Sequence, residues 1–155
     1  MISNPIRTID NTSQAVQGPG PEDWRALLRT GANMLIIGPR PILDAFLAAA
    51  ADYLQGPVHL VTPADTIPLD CRGTLVVYDA SLLEGRQQEA LSALCNEVCD
   101  RPRIISLSET HLWQSDAPVA LPLDLYYRLN TICLDLRDLA LLQARDHVVQ
   151  PAKTA

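Results

Sequence analysis

The chain has 155 residues, 48% of them apolar and 19% charged, a composition that folds as one domain with a buried core. Eighteen acidic residues against twelve basic ones leave a net charge of -6, which argues against nucleic acid or an anionic membrane as a direct partner. Eleven of the basic residues are Arg and the only Lys is Lys153, so Schiff-base, general-base and phosphate-binding lysines are excluded from the body of the chain.

Residues 1–20 are polar and end in the breaker Gly18-Pro19-Gly20-Pro21, which predicts a flexible arm before a domain at 21–150 and a short tail at 151–155. Pro21 to Thr30 predicts a short helix with Pro at its first position and Gly31 as its stop. Asn33 to Ile37 is a continuous apolar run, as a strand buried on both faces requires. Pro41 to Leu54 predicts the next helix, with Gly56 past its end, and Val58 to Val61 a second strand. Thr74 to Tyr78 predicts a third strand, followed by a helix from about Leu83 to Val98. Arg103 to Leu107 predicts a fourth strand, Leu121 to Leu129 a proline-started helix, Thr131 to Leu136 a fifth strand, and Arg137 to Val148 a last helix. Strands alternating with helices predict an α/β fold, a three-layer structure around a parallel five-stranded sheet.

The segment Asp124-Leu125-Tyr126-Tyr127-Arg128-Leu129-Asn130, followed by an apolar strand, resembles the D-L-Y-Y-R-L-N signature of the AAA+ domain of sigma-54-dependent transcription activators. Met34 to Gly38 resembles that family's first strand and first P-loop glycine. Gly73-Thr74-Leu75-Val76-Val77 resembles its Walker B strand, and Arg103 to Ser108 its sensor strand. The resemblance covers roughly residues 33–139 and implies a P-loop NTPase fold of the AAA+ type.

The departures from the family pattern carry most of the functional information. The family's G-E-x-G-T-G-K-E loop falls on Gly38, Pro39, Arg40, Pro41, Ile42, Leu43, Asp44 and Ala45. A phosphate cradle needs inward N–H groups, glycines and a lysine, whereas two prolines each delete a donor and Asp44 stands at the lysine position. A carboxylate facing a phosphate is repelled by about 4 kcal/mol per unit charge pair at about 4 Å and an effective dielectric near 20. As an ordinary residue, Asp44 is an acid in the first turns of a helix, where the dipole suits it.

The Walker B acids fall on Tyr78 and Asp79, and the sensor pair on Ser108 and Glu109. One acid cannot serve both as Mg²⁺ ligand and as water activator. As an ordinary residue, Asp79 is a strand-end acid that starts a turn, and that is the preferred reading. Of the two arginines that the family presents to a neighbouring protomer, one position is Pro122 and the other Arg128. An i,i+4 surface pair with Asp124 accounts for Arg128 without any neighbour. The twelve positions from Thr62 to Gly73 leave no room for the family's sigma-contacting loop, and a helical lid is expected to be lacking.

Other chemistry has little support. Cys95 and Cys99 share a helical face, but no His or third Cys lies nearby; together with Cys71 and Cys133 they read as small core residues, with no metal expected. His59, His111 and His147 form no nucleophile motif with Ser81, Ser106 or Ser108, although His111 near Trp113 is the most site-like. Leu91, Leu94 and Val98 on one helix, and Leu141, Leu142 and Val148 on another, are explained by core packing. The segment Met1 to Gln17 lacks a secretory pattern and no stretch is long enough to span a bilayer, so a cytoplasmic location is expected.

The expected function is a non-hydrolysing, AAA+-like regulator or adaptor, a pseudo-ATPase without cofactor. It would contact a protein partner, a sigma-54-type activator or another copy of itself, through the surface around Asp124, Tyr127 and Arg128. The alternative is a sensor of a nucleotide or phosphometabolite, with Arg40 supplying positive charge in the remnant strand-to-helix crevice.

Overall fold

The computed structural model describes residues 21–112 and 121–138. In chain order the elements are α1 (Pro21–Arg29), β1 (Met34–Ile37), α2 (Arg40–Ala50), β2 (Val58–Val61), β3 (Thr74–Val77), α3 (Gly85–Asn96), β4 (Arg103–Ser108), α4 (Leu123–Leu129) and β5 (Ile132–Asp135). The strands form a parallel sheet in the order β2-β3-β4-β1-β5, so the expected α/β fold is present.

Parallel neighbours must be joined by crossovers, and these cover both faces of the sheet. Leu35, Ile37, Leu75, Val77 and Ile104 pack on one face with Leu91 and Leu94 of α3 and Leu125 and Leu129 of α4. Met34, Ile36, Val76, Ile105 and Leu107 pack on the other with Leu28 of α1 and Leu43, Phe46 and Ala50 of α2. Adjacent residues of one strand therefore enter different cores, which is why β1, β3 and β4 are buried throughout. The edge strands β2 and β5 are only partly covered.

Two side chains tie the layers together by hydrogen bonds to backbone. The buried Arg103 guanidinium donates to the carbonyls of Ala32 (2.8 Å), Leu28 and Leu27 (3.2 Å), capping the C-terminal end of α1 from the start of β4. Asn33 accepts the Ile104 N–H at 2.9 Å and donates to the Arg128 carbonyl at 3.0 Å, joining β4 to the end of α4.

Several sequence expectations shift. The helix expected over 41–54 is α2 to Ala50, followed by a 3-10 turn at Ala51–Tyr53. The helix expected over 83–98 begins at Gly85, where the Gln87 side chain accepts the Glu84 N–H at 3.1 Å. It stops at Asn96, because the chain turns through Asp100 in the left-handed region (φ 55°) on its way to β4. Val98 is consequently 95% exposed and does not share the apolar face of Leu91 and Leu94. Cys71 and Cys95 are buried as expected, but Cys99 on that turn and Cys133 on an edge strand are exposed. The arm at 1–20, Trp113, the helix expected beyond Asp138, His147 and the tail at 151–155 lie outside the described residues. Among the described residues no helix is long and apolar enough to cross a membrane.

Candidate functional site

The crevice that α/β sheets use for ligands lies beyond the C-terminal ends of β1, β3 and β4. The connection from β1 to α2 is short, since β1 ends at Ile37 and α2 begins at Arg40. Gly38 adds one more rung to the sheet, donating its N–H to the Ser108 carbonyl at 3.0 Å. Pro39, with φ -59° and ψ 147°, turns the chain directly into the helix, and its carbonyl accepts the N–H groups of Ile42 (2.9 Å) and Leu43 (3.0 Å). Positions 40–45, which the sequence resemblance lays on a phosphate-binding loop, are thus helix.

Arg40 organises the site. Its backbone N–H, one of the unpaired donors at the start of α2, is accepted by the Glu109 carboxylate at 3.1 Å. Its guanidinium lies over the Tyr78 ring, 4.3 Å from the centroid. The same side chain pairs with Asp44 (3.4 Å) and Asp79 (3.6 Å). Burial is the first cause that raises the Tyr78 phenol above the usual tyrosine value; the Asp44 charge and the hydrogen bond to Asp44 add to it, while Arg40 pulls the other way. Six of the nine residues that the sequence assigns to the nucleotide site, Pro39, Arg40, Asp44, Tyr78, Asp79 and Glu109, are therefore linked around one arginine or its helix start.

Each acid has a structural task. Asp44 sits in the second turn of α2, so its partners are Arg40 and Tyr78 rather than the free N–H groups of the helix. Asp79 adopts a left-handed conformation (φ 50°) that ends β3 and starts the 3-10 turn at Ala80–Leu82, with its carbonyl accepting the Leu82 N–H at 2.8 Å. The Ser108 hydroxyl is buried and is engaged by Thr110, donating to its carbonyl and accepting its N–H at 3.2 Å. Pro41 occupies the first turn of α2, where a missing N–H is tolerated. One cation surrounded by three carboxylates leaves the crevice negative, an unfavourable place for a polyphosphate.

The second expected site, on α4, is separate. Leu123 (48% exposed) and Tyr127 (65% exposed) stand four residues apart on one helical face, and Asp124 is exposed beside them. The expected Asp124–Arg128 pair is not formed. Arg128 instead donates to the Asn96 side chain on α3, which lies nearer because α3 and α4 pack side by side. Asn96 was not legible as a partner, since 32 residues separate the two. His111 lies 6.2 Å from the Tyr126 ring, and its charge adds to the effect of Arg137, which holds the Asp135 carboxyl below the usual range. Among the described residues no three His, Cys, Asp or Glu side chains group as metal ligands.

No protein-family model matches the chain, and no curated protein does. Solved structures do resemble it. The P-loop NTPase domain of a sigma-54 transport activator from E. coli superposes with a TM-score of 0.56 at 20% identity, over 71% of this chain and 91% of that one. NtrX from Brucella abortus, solved in complex with ATP, gives 0.55 at 18% identity over 73% of this chain. The RuvB Holliday junction branch migration motor of Thermotoga maritima gives 0.54 at 16% identity, over 75% of this chain and 44% of that one. The chain spans 35% of the length of NtrX. The likeness is one of fold, and the fold is that of P-loop NTPase domains of the AAA+ type.

Proposed function

We propose that this chain is a non-hydrolysing regulator or adaptor built on an AAA+-type core, acting by protein–protein contact, with a sigma-54-type activator as its partner class. The observation that carries the reading is the Glu109 carboxylate bound to the Arg40 N–H. A helix N-terminus beside a parallel sheet is where a phosphate group binds in nucleotide-binding folds, and here the protein's own anion sits there. The pairing of Arg40 with Asp44 and Asp79 supports the same conclusion, because it ties up the positive charge that a sensor of phosphate ligands would use. The two-residue link from β1 to α2 supports it as well. Leu123 and Tyr127 on α4 supply an apolar and an aromatic side chain already exposed for a partner.

Two measurements test the reading. Calorimetric titration with ATP and Mg²⁺ is expected to give no saturable heat, and micromolar binding would overturn the proposal in favour of a nucleotide sensor. Mixing the protein with a sigma-54-type activator is expected to change that activator's ATPase rate, and Tyr127→Ala is expected to abolish the change. Neither co-elution nor any change in rate would remove this partner class.

A further inference from the structure

The end of the sheet opposite the crevice carries the reverse charge. A pocket of about 230 Å³ opens where β3 and β4 begin, and its lining includes Arg72, Gly73, Asp100, Arg101 and Arg103. Three arginines and one aspartate contribute to its lining, in a chain whose net charge is -6.

The backbone brings these arginines together. Arg103 pairs with Thr74 in the β3–β4 register and donates its N–H to the Gly73 carbonyl at 2.8 Å, so Arg72 and Arg101 enter on neighbouring chain segments. Glycine close packing holds the Arg72 side of the pocket in place. Gly73 has φ +81°, and a Cβ there would come within 2.4 Å of the Pro57 carbonyl oxygen.

The positive charge is poorly compensated. Arg72 approaches Asp100 only to 3.7 Å, with the two side chains 74% and 68% exposed, a loose surface pair. Arg101 makes no ion pair among the described residues. Arg103 is 6% exposed and bonded to carbonyls and the Met34 sulfur, with no carboxylate partner, and burial pulls its guanidinium below the usual arginine value. Like charges set side by side destabilise a fold unless a counter-charge joins them.

We propose that this pocket binds a small, doubly charged oxyanion of the phosphate class. Arg72 and Arg101 supply the N–H donors, in the planar geometry that suits phosphate oxygens. Arg103 adds buried positive charge behind them and stays bonded to α1. The two ends of the sheet would then be opposite in ligand sign, with the crevice closed to phosphate and the pocket open to it.

Inorganic phosphate is the probe, titrated into the ¹⁵N-labelled protein at constant ionic strength. Saturable amide shifts are expected at Arg72, Gly73, Asp100 and Arg101, with none at Gly38, Arg40 or Leu43. The exposed double variant Arg72→Gln/Arg101→Gln should keep its melting temperature and weaken binding by about tenfold or more. Asp100→Asn removes the competing carboxylate and tolerates the left-handed backbone, so phosphate should bind it about threefold more tightly. Shifts that do not saturate, that chloride reproduces, or that map to Gly38 and Arg40 overturn the proposal. So does a double variant that binds phosphate like the unmodified protein.

Discussion

The Glu109 carboxylate at the end of β4 accepts the backbone N–H of Arg40 at the start of α2 across 3.1 Å, although 69 residues separate them. A helix start carries partial positive charge on its free N–H groups and is stabilised by a nearby anion. This helix has no side-chain cap from its own N-cap residue, Pro39, so the carboxylate from a neighbouring strand takes that part.

Glu109→Ala is therefore expected to lower stability by about 1 kcal/mol, the usual effect of losing a helix cap. Glu109→Gln keeps an acceptor and loses only the charge, so a smaller loss of about 0.5 kcal/mol is expected. Urea unfolding of both variants checks the order; a Gln variant as unstable as the Ala variant would show that charge alone matters.

Tyr78 makes the fold sensitive to alkali. Its phenol is raised in the folded chain, by burial first and then by Asp44. The folded state thus holds this proton more tightly than the unfolded state, where the phenol titrates near the usual value of about 10. The corresponding stability is complete below about pH 10 and is lost as pH rises through the folded value. Tyr78→Phe should flatten the fall in melting temperature above about pH 10 and leave its slope at neutral pH unchanged.

Arg103 reaches three carbonyls at the end of α1. Arg103→Leu is expected to cost about 3 kcal/mol, since it removes charge-assisted bonds and leaves partly buried acceptors unpaired. Arg103→Lys keeps the charge but cannot span the three oxygens, and most of the loss should remain. The midpoint of urea unfolding at unchanged slope measures both.

The cysteines should divide by burial. Burial raises the thiols of Cys71 and Cys95, with Asp70 adding to the effect at Cys71 and nearby Arg128 and Arg101 opposing it at Cys95. A thiol reagent at neutral pH should label exposed Cys99 at once and reach Cys71 and Cys95 only on unfolding. Rapid labelling of Cys95 in the native protein would contradict the packing of α3 on the sheet.

Much of the fold was legible because its signals are local. The apolar runs at Met34–Ile37 and Thr74–Val77 could be read as doubly covered strands, since burial on both faces removes polar residues from consecutive positions. The helix expected over 83–98 was too long because its stop depends on the left-handed turn at Asp100 and the entry to β4 rather than on a change of composition. The expected Asp124–Arg128 pair followed helix spacing correctly, but Asn96 on a packed neighbour competed for the arginine.

By itself the sequence determined the α/β order and the five strands, because apolar runs and their breakers act over a few positions, while the residues around Gly38, Tyr78 and Ser108 were singled out by the family resemblance alone. Tertiary structure alone decided what those residues do to one another. Glu109 meets Arg40, Asp79 meets the same side chain, and Arg72, Arg101 and Arg103 meet at the far end of the sheet, since strand order and register join segments tens of residues apart. Electrostatics depends on distance in space, and no linear pattern of charges encodes it.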